Sequence, residues 1–487
     1  MFLPTCSISR HTPMRQLYID GEWVDAESGE GIDVTSPVDG ELIDTVPAAN
    51  PRDVRKAVEA AREAEQELRG MTAFERAAVL EEVTEYFEAH EDEIAELITR
   101  EEGKPLQESY EETEYVIESS EDYAHDAIRL FGDVVPSEFR GRFAYTTREP
   151  YGPAAVISPW NFPLEVPGGS IYAAIATANP VVFKPAEETP LTAYHIAEAF
   201  AQSSLPDGAF NLVTGGGDTG ASLVGDDDIR LVAFTGSTAV GQEIAKTAAE
   251  RNAQCLLEMG GKDPILVLDD ADVEHAAESI VVGSNANAGQ VCCGTERVIA
   301  TEGVHDDLVE AVVEKTEELR VGDPFDDETD VGPMVSERIQ RKVVDHVDAA
   351  VADGAELLTG GDTDGRFYVP AVLDGVSESM EIAREETFGP VTPIVRVDDY
   401  EAAIEVANDS RYGLQAAIFT DSLERAHDAA NRLQAGGIFV NETNNYWERL
   451  LPFGGYNQSG SGGRYGSKWH LEAMTQVKAV MMNYRDY

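Results

Sequence analysis

Apolar residues recur at helical spacing through much of the first fifth of the chain. In DVRKAVEAAREAEQEL, Val54, Ala57, Val58, Ala61 and Leu68 fall on one face, which predicts an amphipathic helix. Thr72 and Glu75 have the spacing of a capping box that opens a second helix. Both helices carry acidic outer faces, read as solvated surface. From Ala154 the rhythm changes. The short apolar runs AAVIS, PVVFK, FNLV, IRLVAFTG, CLLEM, PILVLD and RVIAT alternate with helical stretches such as TAYHIAEAFAQ and STAVGQEIAKTAAE. This alternation predicts an α/β fold with parallel sheets covered on both faces. A second α/β stretch is expected from about Asp263 to Asn441. PFGGYNQSGSGG then breaks the pattern, and AMTQVKAVMMNY reads as a terminal strand.

A chain of 487 residues predicts about two to four domains, and 43% hydrophobic residues suffice for large cores. No apolar run reaches the ~18 residues of a membrane span. The start, MFLPTCSISRHTPMRQLYIDGEW, lacks the apolar region of a signal peptide; residues 1–13 read as a loose extension, with Met14 a candidate start. The charge balance is extreme: 36 basic against 91 acidic residues, net −55, with only nine Lys beside 27 Arg. The apolar fraction and periodicity exclude disorder. A docking surface for cations or basic partners would account for the acids. The reading preferred here is a halophile's solvated acidic surface, whose self-repulsion salt screens. Nucleic acid is not an expected partner, because its phosphates would be repelled. Four cysteines are too few for a disulfide scaffold and suit a reducing cytoplasm; no Cys/His spacing matches a zinc site.

Several motifs carry candidate chemistry, and each has a bland reading. GGGDTG fits G-x-G-x-x-G after a strand, but the acidic residue expected about 20 positions later is missing, so an ordinary strand-to-helix turn fits as well. In FTGSTAVG, Gly236 and Ser237 stand where a strand gives way to a helix, a place for a phosphate or simply an N-cap. PWNFP holds Asn161 between two prolines, as a rigid amide donor for an oxyanion or as a plain turn. Lys184 and Glu187 in VFKPAEETP could meet sugar hydroxyls or solvent. Glu258, before Gly260 and Gly261, is a candidate general base, although most acids of so acidic a chain lie on its surface. Cys292 and Cys293 in GQVCC offer a nucleophile or merely buried thiols.

The order PWNFP, FKPAEETP, FTGSTAVG, LEMGGK, GQVC, EETFGP, then PFGG with SGSGG closely resembles the aldehyde dehydrogenase superfamily over nearly the whole chain. The resemblance implies a modified Rossmann cofactor domain (1–126 and 149–258), an α/β catalytic domain (259–457) and a small β oligomerisation domain (127–148 and 458–487) in a homodimer or homotetramer. It implies aldehyde oxidation to the acid with NAD(P)+. Cys292, two positions after the Gly-Gln pair, becomes the nucleophile, Asn161 the oxyanion donor and Glu258 the base that hydrolyses the thioester. Lys184 and Glu187 fall at the adenosine ribose, Gly236 and Ser237 at the pyrophosphate, Glu386 at the nicotinamide ribose and Phe388 against the nicotinamide end, with Trp160 also among the cofactor-binding residues. Glu187 favours the 2′-hydroxyl of NAD over the phosphate of NADP, which stays possible. Val166, Gly169, Cys293, Tyr446 and Trp447 are expected to line the substrate pocket. Small residues with aromatic walls would suit a bulky aldehyde; Arg449 could instead pair with a semialdehyde carboxylate or form a surface ion pair. The rival functions are a CoA-acylating semialdehyde dehydrogenase, from which Glu258 points away, and an inactive binding protein that keeps the fold.

Overall fold

The computed structural model describes residues 14–484, so the extension read at 1–13 lies outside the described residues. The first described elements are strands rather than helices. Leu17–Ile19 pairs with Glu22–Val24, and Gly31–Thr35 with Leu42–Pro47. Hydrophobic periodicity misses them, because a run of three residues is too short to show alternation. Helices Pro51–Gly70, Ala73–Ala89, Glu91–Glu102 and Leu106–Ala127 follow. Asn50 caps the first, with a proline at its start, and all five of its predicted face residues are buried. Thr72 and Glu75 form the expected reciprocal capping box.

Each of the seven runs predicted as strands contains a strand. Five of them lie side by side in an eight-stranded sheet, ordered Phe210–Leu212, Val181–Lys184, Ala154–Ile157, Leu231–Gly236 and Gln254–Met259, all parallel. The chain runs outward in one direction from Ala154–Ile157 and in the other from Leu231–Gly236. The two strands are therefore a topological switch point, with a crevice at their carboxyl ends. Asn161 follows the first of these strands and Ser237 the second.

A seven-stranded sheet carries the second half, in the order Glu356–Thr359, Ala371–Asp374, Val391–Val397, Arg297–Thr301, Pro264–Val267, Gln415–Phe419 and Gly437–Val440. All but its first pair are parallel. Thr475–Asn483 pairs along its whole length with Arg142–Pro150, which also pairs with Val134–Val135, in a separate three-stranded sheet. Gly460–Ser461 instead joins the edge of the first sheet beside Gln254–Met259. No described helix is long and apolar enough to cross a membrane.

Candidate active site

Helix Val273–Asn285 delivers the chain into a turn in which Asn287, Ala288 and Gly289 all have left-handed backbones, φ 48°, 52° and 69°. Asn and Gly tolerate this conformation, but for Ala288 it stores about 1–3 kcal/mol, so the surroundings must impose it. They do so through Gln290, which is fully buried. Its Nε2 donates to the Asn287 carbonyl (3.0 Å), and its Oε1 accepts from Val335 N–H (3.0 Å). Asn287 N–H donates to Glu108 (2.8 Å). A side chain at Gly289 would lie 2.2 Å from the Gly389 carbonyl group, so glycine lets this loop press against the EETFGP turn. Cys292 comes next, half-buried, and Cys293 is wholly buried.

The two thiols are unequal. Cys293 packs behind the loop with Val291 and Leu414, and its thiol reaches Asn445 Oδ1 (3.5 Å). The hydrogen bond with Cys292, then burial, push its pKa well up and keep it neutral. Cys292 borders a cavity with Val166, Gly169, Trp447, Phe453 and Tyr465. Cys293 and Tyr446 do not line this cavity, contrary to expectation. The turn that presents Cys292 directs its neighbour inward, and Tyr446 lines an adjacent cleft, edge-on to Phe439.

Asn161 reaches the Cys292 loop directly: its Nδ2 donates to the Gln290 carbonyl (2.8 Å), leaving a second N–H. Its own carbonyl accepts from Asn287 Nδ2 (3.1 Å) and from the ammonium of Lys104 (2.7 Å). Lys104 also pairs with Glu112 (2.7 Å) and lies 4.0 Å over the Phe162 ring. Glu112 in turn accepts from the N–H groups of Leu164 (2.9 Å) and Glu165 (3.1 Å). One buried ion pair thus holds the segment 161–165 at both ends.

A second pair does the same for the facing turn. Lys262 binds Glu296 (2.6 Å), whose carboxylate accepts from Thr387 N–H and from Phe388 N–H (2.8 Å). Phe388 is held at φ 61°, a strained value for an aromatic residue, edge-on to Trp160 at 5.5 Å. Sequence reasoning missed Lys104, Glu112 and Glu296, quoted Lys262 without a role, and used Gln290 only as a marker of Cys292. A usable signal was the scarcity of lysine. Lys104 and Lys262 each follow a glycine and precede Pro or Asp-Pro.

Glu258 ends strand Gln254–Met259 and is 2% exposed. The two glycine motifs explain themselves here. Gly455 N–H donates to its Oε2 (3.1 Å), while side chains at Gly454 and Gly460 would come within 2.4 and 3.1 Å of the carboxylate. Oε1 has no hydrogen-bond partner among the described residues, and burial pushes the pKa well up, against the opposing pull of Gly455 N–H and Arg464. Glu258 therefore sits behind the cavity wall as a carboxyl primed to hold a proton.

The other side of the crevice holds Lys184, Glu187, Gly217, Gly220 and Val240 around a cavity of about 310 Å³. Burial lowers Lys184 to about 8, and its ammonium donates to the Pro185 carbonyl (2.6 Å). Gly216 leaves room for Glu187, whose Oε2 is 2.9 Å from where a Cβ would stand. Ser237 caps helix Thr238–Ala249, a terminus suited to a phosphate, and Gly236 just before it has no room for a side chain beside the Phe234 ring. Glu386 accepts from Gly261 N–H (3.2 Å), and burial raises it to about 7. Oxygen acceptors, a helix N-terminus and a glycine-cleared floor fit a nicotinamide dinucleotide. Among the described residues no cluster of acids, histidines or cysteines could hold a metal ion.

Residues 23–480 match the aldehyde dehydrogenase family. A betaine aldehyde dehydrogenase of Mesorhizobium japonicum is 37% identical over 98% of this chain and 99% of its own length. An alpha-ketoglutaric semialdehyde dehydrogenase of Bacillus subtilis is 37% identical, covering 96% of this chain and 97% of its own. Among solved structures, an NAD-dependent aldehyde dehydrogenase from Sinorhizobium meliloti superposes with a TM-score of 0.95 at 36% identity, covering 98% of this chain and 96% of its own. The chain belongs to the aldehyde dehydrogenase family, as an NAD(P)-dependent oxidoreductase that converts an aldehyde to the carboxylic acid.

Proposed function

We propose that Cys292 is the nucleophile, Asn161 the oxyanion donor and Glu258 the base of this oxidation. The observation that carries the reading is the hydrogen bond from Asn161 Nδ2 to Gln290, which fixes the amide against the nucleophile's own loop. The Cys292 thiolate adds to the aldehyde carbon. The oxyanion so formed takes hydrogen bonds from the second Nδ2 hydrogen of Asn161 and from Cys292 N–H, both held in place beforehand. The residues assigned to the cofactor would hold a nicotinamide that, when bound, would supply the hydride acceptor for the substrate carbon. Glu258 then takes a proton from a water that attacks the Cys292 thioester. The C–S bond breaks, the thiolate returns and the acid departs. Lys184, Glu187, Gly236, Ser237, Trp160, Glu386 and Phe388 are the residues assigned to the cofactor. Glu187 supports NAD over NADP, since a carboxylate accepts from a hydroxyl and repels a phosphate.

Glu258 also separates hydrolysis from transfer to CoA, because a thiol acceptor needs no water-activating base. The test is NADH formation from an aldehyde with and without CoA. Equal rates and a free acid product are expected; strict dependence on CoA would overturn the assignment of Glu258. The exposed apolar residues Val477, Met481 and Met482 on strand Thr475–Asn483 support a homo-oligomer. The acid excess supports a salt-adapted source.

A further inference from the structure

We propose that the tunnel above Cys292 selects aldehydes bearing a positive charge at the end remote from the carbonyl, with Glu165 as the residue that recognises it. The proposal rests on reading that cavity as the substrate tunnel. Glu165 opens helix Glu165–Ala176 and borders two adjoining cavities, one with Cys292 and one with Phe162 and Val291; Tyr115 and Trp447 border both. Its N–H is bound to Glu112, yet its carboxylate takes no hydrogen bond or ion pair from any described residue. The nearest cation, Lys104, is already engaged by Glu112 and the Asn161 carbonyl. Burial, then Glu112, raise Glu165 to about 8, so without a counter-charge it holds its proton near neutral pH, and a cation entering the cavity would draw it into the carboxylate form.

The rest of the wall has the same sign. Asp122, Glu165 and Glu448 line the cavity against the single cation Arg449. Arg449 is paired with Glu118 and with Asp122 (3.3 Å), which offsets its charge towards a substrate carboxylate. His470 adds no positive charge, since burial lowers it to about 3. Trp447 stacks on Phe453 at 4.6 Å and meets Tyr115 edge-on, giving aromatic faces that also attract a cation. A semialdehyde carboxylate would meet Asp122 and Glu448 here, with Arg449 already paired to acids as the one lining cation among the described residues.

The test compares three aldehydes: trimethylammonioacetaldehyde, its uncharged isostere 3,3-dimethylbutanal, and anionic 4-oxobutanoate. The wild-type enzyme should favour the cation over the isostere by about tenfold or more in kcat/KM, the equivalent of about 1.4 kcal/mol, and use the anion worst. E165Q should collapse the cation-to-isostere ratio, and E165D should keep it. Choline should also inhibit the wild-type enzyme at least about tenfold more strongly than 3,3-dimethylbutan-1-ol, a comparison that needs no variant. An unchanged ratio in E165Q, or a preference for the anion, overturns the inference. NADH from the isostere without any preference for the cation leaves Cys292 standing and removes only the role of Glu165. No NADH from any of the three aldehydes overturns both.

Discussion

Replacing Lys104 by Met should slow the enzyme and destabilise it through two separable effects. Lys104 is 1% exposed, and its ammonium lies 2.7 Å from Glu112 and 2.7 Å from the Asn161 carbonyl. Removing one partner of a buried ion pair strands the other, which costs about 3–5 kcal/mol. The Asn161 carbonyl would keep only the Asn287 amide (3.1 Å) and lose its charged donor. Losing an oxyanion donor outright costs about 10²–10³ in kcat, and loosening one by about 1 Å costs up to about 10². A fall of about 10- to 100-fold in kcat is therefore expected, with KM little changed. The double variant K104M/E112Q separates the effects. It removes both charges, while the amide oxygen introduced by E112Q can still accept from the N–H groups of Leu164 and Glu165. Urea unfolding should show most of the lost stability restored, and steady-state NADH formation should stay slow. Wild-type kcat in the double variant would refute the positioning argument.

The remaining predictions concern the base, the cofactor and the surface. Glu258 is raised well above the ordinary carboxylate range by burial, so its base form grows as pH rises. The rate of thioester hydrolysis should therefore climb with pH and lose that dependence in E258Q; a profile identical in the two proteins would count against its role. E187S should raise kcat/KM for NADP relative to NAD, and an unchanged ratio would remove Glu187 from cofactor choice. With 91 acids against 36 bases, thermal melts should show higher stability in multimolar KCl than in low salt, and equal melts would argue against salt adaptation.

The parallel sheets were legible because strands buried on both faces are continuous apolar runs, as in Val181–Lys184 and Pro264–Val267. The N-terminal hairpins were not, because Leu17–Ile19 and Glu22–Val24 are too short to show a period. Cys292, Asn161 and Glu258 were singled out by motifs in order. The structure adds why those motifs are built as they are: Gln290 locks the loop, and Gly454 and Gly460 make room for a carboxylate. The buried pairs escaped notice because EEGKPLQESYEE looks like acidic surface. Nothing local shows that Lys104 and Glu112 are both fully buried, or that Lys262 meets Glu296, 34 residues away. Glu165 was passed over for the same reason, one acid among many.

The most direct test of the account is to trap the intermediate. E258Q mixed rapidly with NAD+ and an aldehyde should release a burst of about one NADH per subunit and then stall. Peptide mass mapping of the quenched protein should find the acyl group on Cys292. A burst with the acyl group on Cys293 or Cys255, or steady turnover with no burst and no adduct, would contradict the account.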